Sequence, residues 1–152
     1  MLPDEKKGAK ELFSSGFNCA EAVALSVCGS MGIGDGVVPV AATGFGGGGG
    51  GAGGTCGALS GAFLAISLKY GRTSSEQDRR NTYRICQPIF DGFVAEMGAA
   101  ACRELTGLDL RTREGGQKLR ESGIHTRVCA KAVEVAEKLA LERIRMQESR
   151  GA

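Results

Sequence analysis

The sequence predicts an all-α, single-domain helical bundle of five to seven helices with one Gly-rich loop, and three observations carry that expectation. Apolar residues recur at helical spacing, most clearly near the C-terminus, where Cys129, Ala132, Val133, Ala136, Ala140 and Ile144 share one face and Lys131, Glu134, Glu137, Lys138 and Glu142 lie elsewhere. Segment ends are marked by capping residues and glycines in the manner of helices. Only Val37 to Thr43 is β-branched enough for a strand, and Pro39 would confine it to an edge or leave it an extended linker. A chain of 152 residues suits one domain, residues 1–152, with a core of its own.

The elements follow in order. A first helix is expected over Glu5 to Ser15, stopped by Ser14-Ser15-Gly16. Asn18, with Glu21 three residues on, gives a capping-box start to a second helix from Cys19 to Val27, ended by Gly29, Gly32 and Gly34. Thr55 is placed to cap a helix that begins at Cys56 and ends at Tyr70-Gly71. Ser74 or Ser75 opens the next, which Pro88 should end or kink, with Ile89 to Met97 resuming the pattern. A short helix is expected over Ala99 to Thr106, a polar loop over Asp109 to Gly123, and a long helix from Thr126 to about Glu148. No period of 20 to 50 residues repeats, which excludes a solenoid.

Charge is unevenly spread: between Glu21 and Lys69 the only charged residue is Asp35. The first half therefore supplies buried structure. Its most apolar run, Cys56 to Leu68, includes Ser60, Ser67 and two glycines and falls short of the ~20 residues a bilayer span needs, so no membrane insertion is expected. Overall, 19 basic and 17 acidic residues leave +2, which argues against a dedicated nucleic-acid or anionic-membrane binder. Arg79, Arg80 and Arg84 read as a solvated helix face. The opening residues lack the apolar run of a secretory signal and six cysteines are too sparse for a disulfide scaffold, so a cytoplasmic protein with reduced thiols is expected.

The cysteines carry the functional information. Cys19, Cys56, Cys102 and Cys129 all fall just inside expected helix starts, where unpaired amides and the helix dipole favour the thiolate. Cys28 sits near a helix C-terminus and Cys86 just ahead of Pro88, and both read as small core residues. No Cys-x-x-Cys pair is present, so any site must be assembled by the fold.

Cys56-Gly57-Ala58-Leu59-Ser60-Gly61 resembles the central motif of a redox-active protein family named for the cysteine pattern C_GCAxxG_C_C, although this chain reads Cys-Gly-Ala where the name reads Gly-Cys-Ala. Cys19 in Phe17-Asn18-Cys19-Ala20-Glu21 looks like the first cysteine of that pattern, Cys102 in Cys102-Arg103-Glu104-Leu105-Thr106-Gly107 like the third, and Cys129 in Cys129-Ala130-Lys131-Ala132-Val133 like the fourth. Cys28 and Cys86 have no place in it. A related domain resembles the non-haem part of split-Soret cytochromes, for which an iron-sulfur centre has been proposed. With no Cys-x-x-Cys-His and one histidine, a c-type haem is not expected here.

Four cysteines without a His or carboxylate companion suit soft metals, in an iron-sulfur cluster or, alternatively, a four-cysteine zinc site. They also suit thiol-disulfide oxidoreductase chemistry without metal, in which the same four would be catalytic. A third reading is a non-catalytic assembly module whose cysteines only pack. The leading expectation is an iron-sulfur protein for electron transfer or redox sensing, either an oxidoreductase or an electron carrier, with an unknown redox partner. Gly57 and Gly61, beside Ala58, Ala62 and Ala65, form a small-residue strip explained by close helix packing, and together with the resemblance it makes a homodimer an expectation.

Residues 44 to 54 contain nine glycines. No Gly-Lys-Ser/Thr follows and no second strand supplies an acidic residue, which argues against a nucleotide loop. The tract is expected to bring Cys56 close to other backbones and to offer amides to cysteine sulfur, with Gly54 and Gly57 as candidate cofactor contacts. His125 is expected in a solvent-facing turn; the sharper alternative has it hydrogen-bond a sulfur or serve as a ligand.

Overall fold

A computed structural model describes residues 7–34 and 36–151. Eight helices lie among the described residues, with no strand: α1 (Ala9–Ser14), α2 (Cys19–Ser30), α3 (Val38–Ala42), α4 (Gly57–Tyr70), α5 (Arg80–Met97), α6 (Cys102–Thr106), α7 (Arg113–Glu121) and α8 (Ala130–Gly151). The fold is all-α, as the sequence predicts; the expected start of α1 at Glu5 lies outside the described residues.

Helix α2 begins as expected: the Asn18 side chain accepts from the Glu21 amide at 2.9 Å, and the Glu21 carboxylate accepts from the Asn18 amide at 2.8 Å. Helix α4 lies against α2 at close range because Gly61 has no side chain, and a Cβ there would come within 2.5 Å of the Ala20 carbonyl oxygen. The strip of Gly57, Ala58, Gly61, Ala62 and Ala65 is buried inside the chain, so it offers no face to a second copy. Helix α8 covers α2, α4 and α5, and Val23, Val27, Leu59, Ile66, Ile89, Phe93 and Val133 are fully enclosed between them.

Three elements differ from expectation, one of them in two ways. Val38–Ala42 is a helix, because Pro39 in its first turn supplies a preset φ and loses no helical hydrogen bond there. Pro88 neither ends nor splits α5, which runs through it to Gly98, its left-handed cap. That helix starts at Arg80 rather than near Ser74, since Thr73 donates to the Gln77 side chain at 2.6 Å and Arg72 to the Gln77 carbonyl, closing a turn instead. The expected polar loop contains α7, with the Thr112 hydroxyl accepting from the Gly115 amide at 2.9 Å as its cap.

The glycine tract is ordered by its own backbone. Gly47 to Gly51 all have positive φ, between 62° and 93°. A run of five such residues would cost about 1–2 kcal/mol at each position for residues bearing a Cβ. Gly53 and Gly54 donate back to Gly47 and Gly48 at 3.0 and 2.9 Å.

Candidate functional site

The turn before α4 and the turn before α6 pair as a short antiparallel contact, Thr55 opposite Ala101. Cys56 donates its amide to the Ala100 carbonyl at 2.7 Å, and Cys102 donates to the Gly54 carbonyl at 2.6 Å. Two cysteines distant in sequence are thereby fixed side by side through their backbones. Cys56 is the N-cap residue of α4, so the cap falls one residue later than the expected Thr55, which serves the pairing instead. Cys102 is the first residue of α6 and Cys19 the first of α2, where the capping box holds it.

Cys129 is the exception to the helix-start rule. The helix opens earlier, and His125–Cys129 form a π-turn that runs directly into α8. A wider turn of this kind changes the register of side chains along a helix, and His125, Val128, Cys129 and Ala132 all face one cavity.

That cavity, about 140 Å³, is bordered by Cys19, Cys56, Cys102 and Cys129 together. Gly47 and Gly57 form part of its wall, whereas Gly54 does not reach it. The rest is largely apolar: Phe13, Leu105, Leu110, Leu119, Val128 and Ala132, with Asn18, Thr106 and His125 as the polar members. Leu110 and Leu119 come from the segment read as a polar loop, where single leucines among polar and charged residues give no periodic signal, although Thr112 as a cap is a usable one. The expectation of a solvent-facing His125 is corrected: the ring is half-buried and stacks on Phe13 with centroids 4.4 Å apart.

Glycine is required where these elements meet. A Cβ on Gly57 would overlap the Cys19 sulfur and lie 2.8 Å from the Phe45 carbonyl oxygen, and one on Gly48 would lie 2.8 Å from the Cys102 Cβ.

The electrostatics correct a second expectation. Burial pushes every one of the six thiols up. At Cys19 the amides of Gly47, Ala20 and Ala58 pull the other way but do not overcome burial. Cys56 is pushed up to about 12 by burial and by the neighbouring Cys19 and Cys102, with the Ala58 and Leu59 amides opposing. Burial, then Cys19 and Cys102, push Cys129 up to about 12. Helix-start amides are thus aimed at sulfur at Cys19 and Cys56 but not at Cys102 or Cys129, and even at the first two an apolar cavity costs a thiolate more than they return. Cys28 is pushed up to about 11 and Cys86 is raised, both by burial alone. Cys28 is a core residue, while Cys86 is only half-buried against the core.

All six thiols are free. Among the described residues no three His, Cys, Asp or Glu side chains are gathered closely enough to hold a metal ion, so the four cysteines are spread round the cavity wall and not drawn to one point.

Residues 17–143 match the family described as "Putative redox-active protein (C_GCAxxG_C_C)". The chain belongs to this family. The C_GCAxxG_C_C match takes in all four cavity cysteines and ends within α8. No curated protein and no solved structure matches the chain. Among the described residues, no helix of this family member is long and apolar enough to cross a membrane.

Proposed function

We propose that Cys19, Cys56, Cys102 and Cys129 hold an iron-sulfur cluster and that the protein serves electron transfer or redox sensing. The observation that carries this reading is the convergence of these four thiols, from four separate elements, on one largely apolar cavity. The donor set fits: four soft sulfurs with one imidazole at the wall and no carboxylate among the lining residues. Backbone amides directed at Cys19 and Cys56 would stabilise sulfur once it is ionised. When bound, such a cluster would accept and release single electrons.

This chain's own residues supply the rest. Phe13, Leu105 and Leu119 keep water from the sulfurs, and the paired turns at Thr55 and Ala101 hold Cys56 and Cys102 in register. Loading must displace protons from thiols that burial holds neutral, so affinity should fall as pH falls.

A second reading keeps the same residues as metal-free dithiols; it draws support from Cys19, which is an electrostatic neighbour of Cys56, Cys102 and Cys129 alike. Anaerobic purification followed by iron, sulfide and zinc analysis decides between them. Iron and sulfide in near-equal amounts, lost in Cys56→Ser, support the cluster. A colourless, metal-free protein that reduces disulfides would reverse the order.

A further inference from the structure

Next to the cysteine cavity, but opening to solvent, lies a groove of about 590 Å³ formed by the end of α5, α6 and the π-turn into α8. Leu105 and Val128 border both spaces, so a single layer of side chains separates the groove from the cavity. The floor is apolar, from Met97, Ala99, Leu105 and Val128, and the rim is charged. Arg127 and Lys131 stand four residues apart on the π-turn and α8, and Glu104 faces them from α6; all three are exposed.

We propose that this groove binds a small organic anion with a flat apolar body. Its size lies in the range of small-molecule sites, about 300–1,000 Å³. Arg127 and Lys131 together place two cations at one rim, where they suit a carboxylate, sulfonate or phosphate head. Glu104, opposite, selects for a ligand that carries an N–H or O–H donor at its other end. The Arg127 guanidinium reaches the Ser122 carbonyl at 3.5 Å, a long contact that engages one of its nitrogens. Cys102 and Cys129 belong to the same two elements as Leu105 and Val128, so a molecule in the groove sits beside the thiols without entering their cavity. Relevance to redox chemistry rests on the reading given above; binding of the anion does not.

An amide-resolved NMR titration of the protein as purified, with an aminonaphthalene sulfonate as probe and naphthyl trimethylammonium as its cationic counterpart, tests the site. The sulfonate should shift amides of residues 97–99, 104–105 and 127–131, and the cation should not. Lys131→Glu should weaken the sulfonate by about tenfold or more, as expected for loss of a charge-assisted hydrogen bond with reversal of its charge. Lys131→Gln, milder and solvent-exposed, should weaken it less and guards against a folding defect. Absence of binding at millimolar sulfonate, shifts elsewhere, or equal binding of the cation would overturn the proposal. Iron and sulfide measured on the same sample separate the two claims: a loaded protein blind to the sulfonate defeats the groove alone, and a metal-free one that binds it defeats the cluster alone.

Discussion

Cys28 and Cys56 are both closed off from solvent, at 1% and 7% exposure, and burial raises both thiols. Their surroundings differ. Nothing but desolvation acts on Cys28. Cys56 meets two other thiols electrostatically and two amides aimed at its sulfur. Cys19 has oriented amides, and Cys102 and Cys129 have thiol neighbours, whereas Cys86, like Cys28, has neither. Burial alone therefore does not single out the cavity cysteines in this fold; the company of other thiols or of oriented amides does. That company depends on a second contrast, between glycines that make room for sulfur and glycines that face open space.

The largest effect is expected where a glycine separates two backbones. In Gly57→Ala the new methyl would overlap the Cys19 sulfur and press on the Phe45 carbonyl, which is backbone and cannot swing aside as a side chain can. Overpacking of this kind costs about 1–3 kcal/mol, occasionally more, and here it should also push Cys19 away from the cavity. Gly29, on the exposed side of α2, has nothing within 4 Å of a built Cβ, so Gly29→Ala should instead stabilise by about 0.5–1 kcal/mol through helix propensity. Urea unfolding of both variants checks the pair; equal effects would break the distinction.

Next come the cysteines themselves. Cys28→Ala should cost about 1–3 kcal/mol in packing and leave any metal in place, whereas Ser at any of the four cavity positions should release it. The metal-free protein gives an independent reading through pH. Thiols raised in the folded state above their unfolded value contribute stability that is complete below the ordinary thiol range and is lost as pH rises toward about 12, the value at Cys56 and Cys129. Metal-free protein should thus weaken steadily above about pH 8.5, and Cys56 should alkylate slowly at neutral pH. Bound metal inverts the sign, with stability lost on acidification. Thermal melts across pH 6 to 10, roughly the range in which free thiols titrate, compare the two forms.

Much of this was legible in the sequence, and the remainder fails for identifiable reasons. Asn18 with Glu21 specifies the start of α2 by local chemistry, and Gly61 beside Ala58 and Ala62 specifies close packing, because both signals act within a turn or two. The grouping of the four cysteines came from their order and from resemblance, not from spacing, since the Thr55 and Ala101 contact that joins two of them spans distant segments. The thiolate expectation failed because helix-end amides are a local property while the depth of the cavity is a tertiary one. His125 was misplaced for the same reason: nothing near it in sequence announces Phe13 as its stacking partner. Glycine runs read as loops, yet Gly47 to Gly51 form a fixed left-handed path held by Gly53 and Gly54.

The smallest effect sharpens the comparison between scaffold and site. Asn18 and Thr112 both cap helices through one side-chain oxygen, at 2.9 Å in each case. Removing a cap costs about 1 kcal/mol, so Asn18→Ala and Thr112→Ala should lower stability by similar amounts in urea unfolding. Asn18 does more than cap: its amide donates to the Thr43 carbonyl at 3.1 Å, it borders the cavity, and it precedes Cys19 directly. Thr112 has no such position. Asn18→Ala should therefore alter metal loading or the reactivity of Cys19 at matched stability, while Thr112→Ala leaves both unchanged. Identical loading and alkylation rates in the two variants would show that the entry of α2 is only scaffold and that Cys19 is held in place by Gly57 and the Gly47 amide alone.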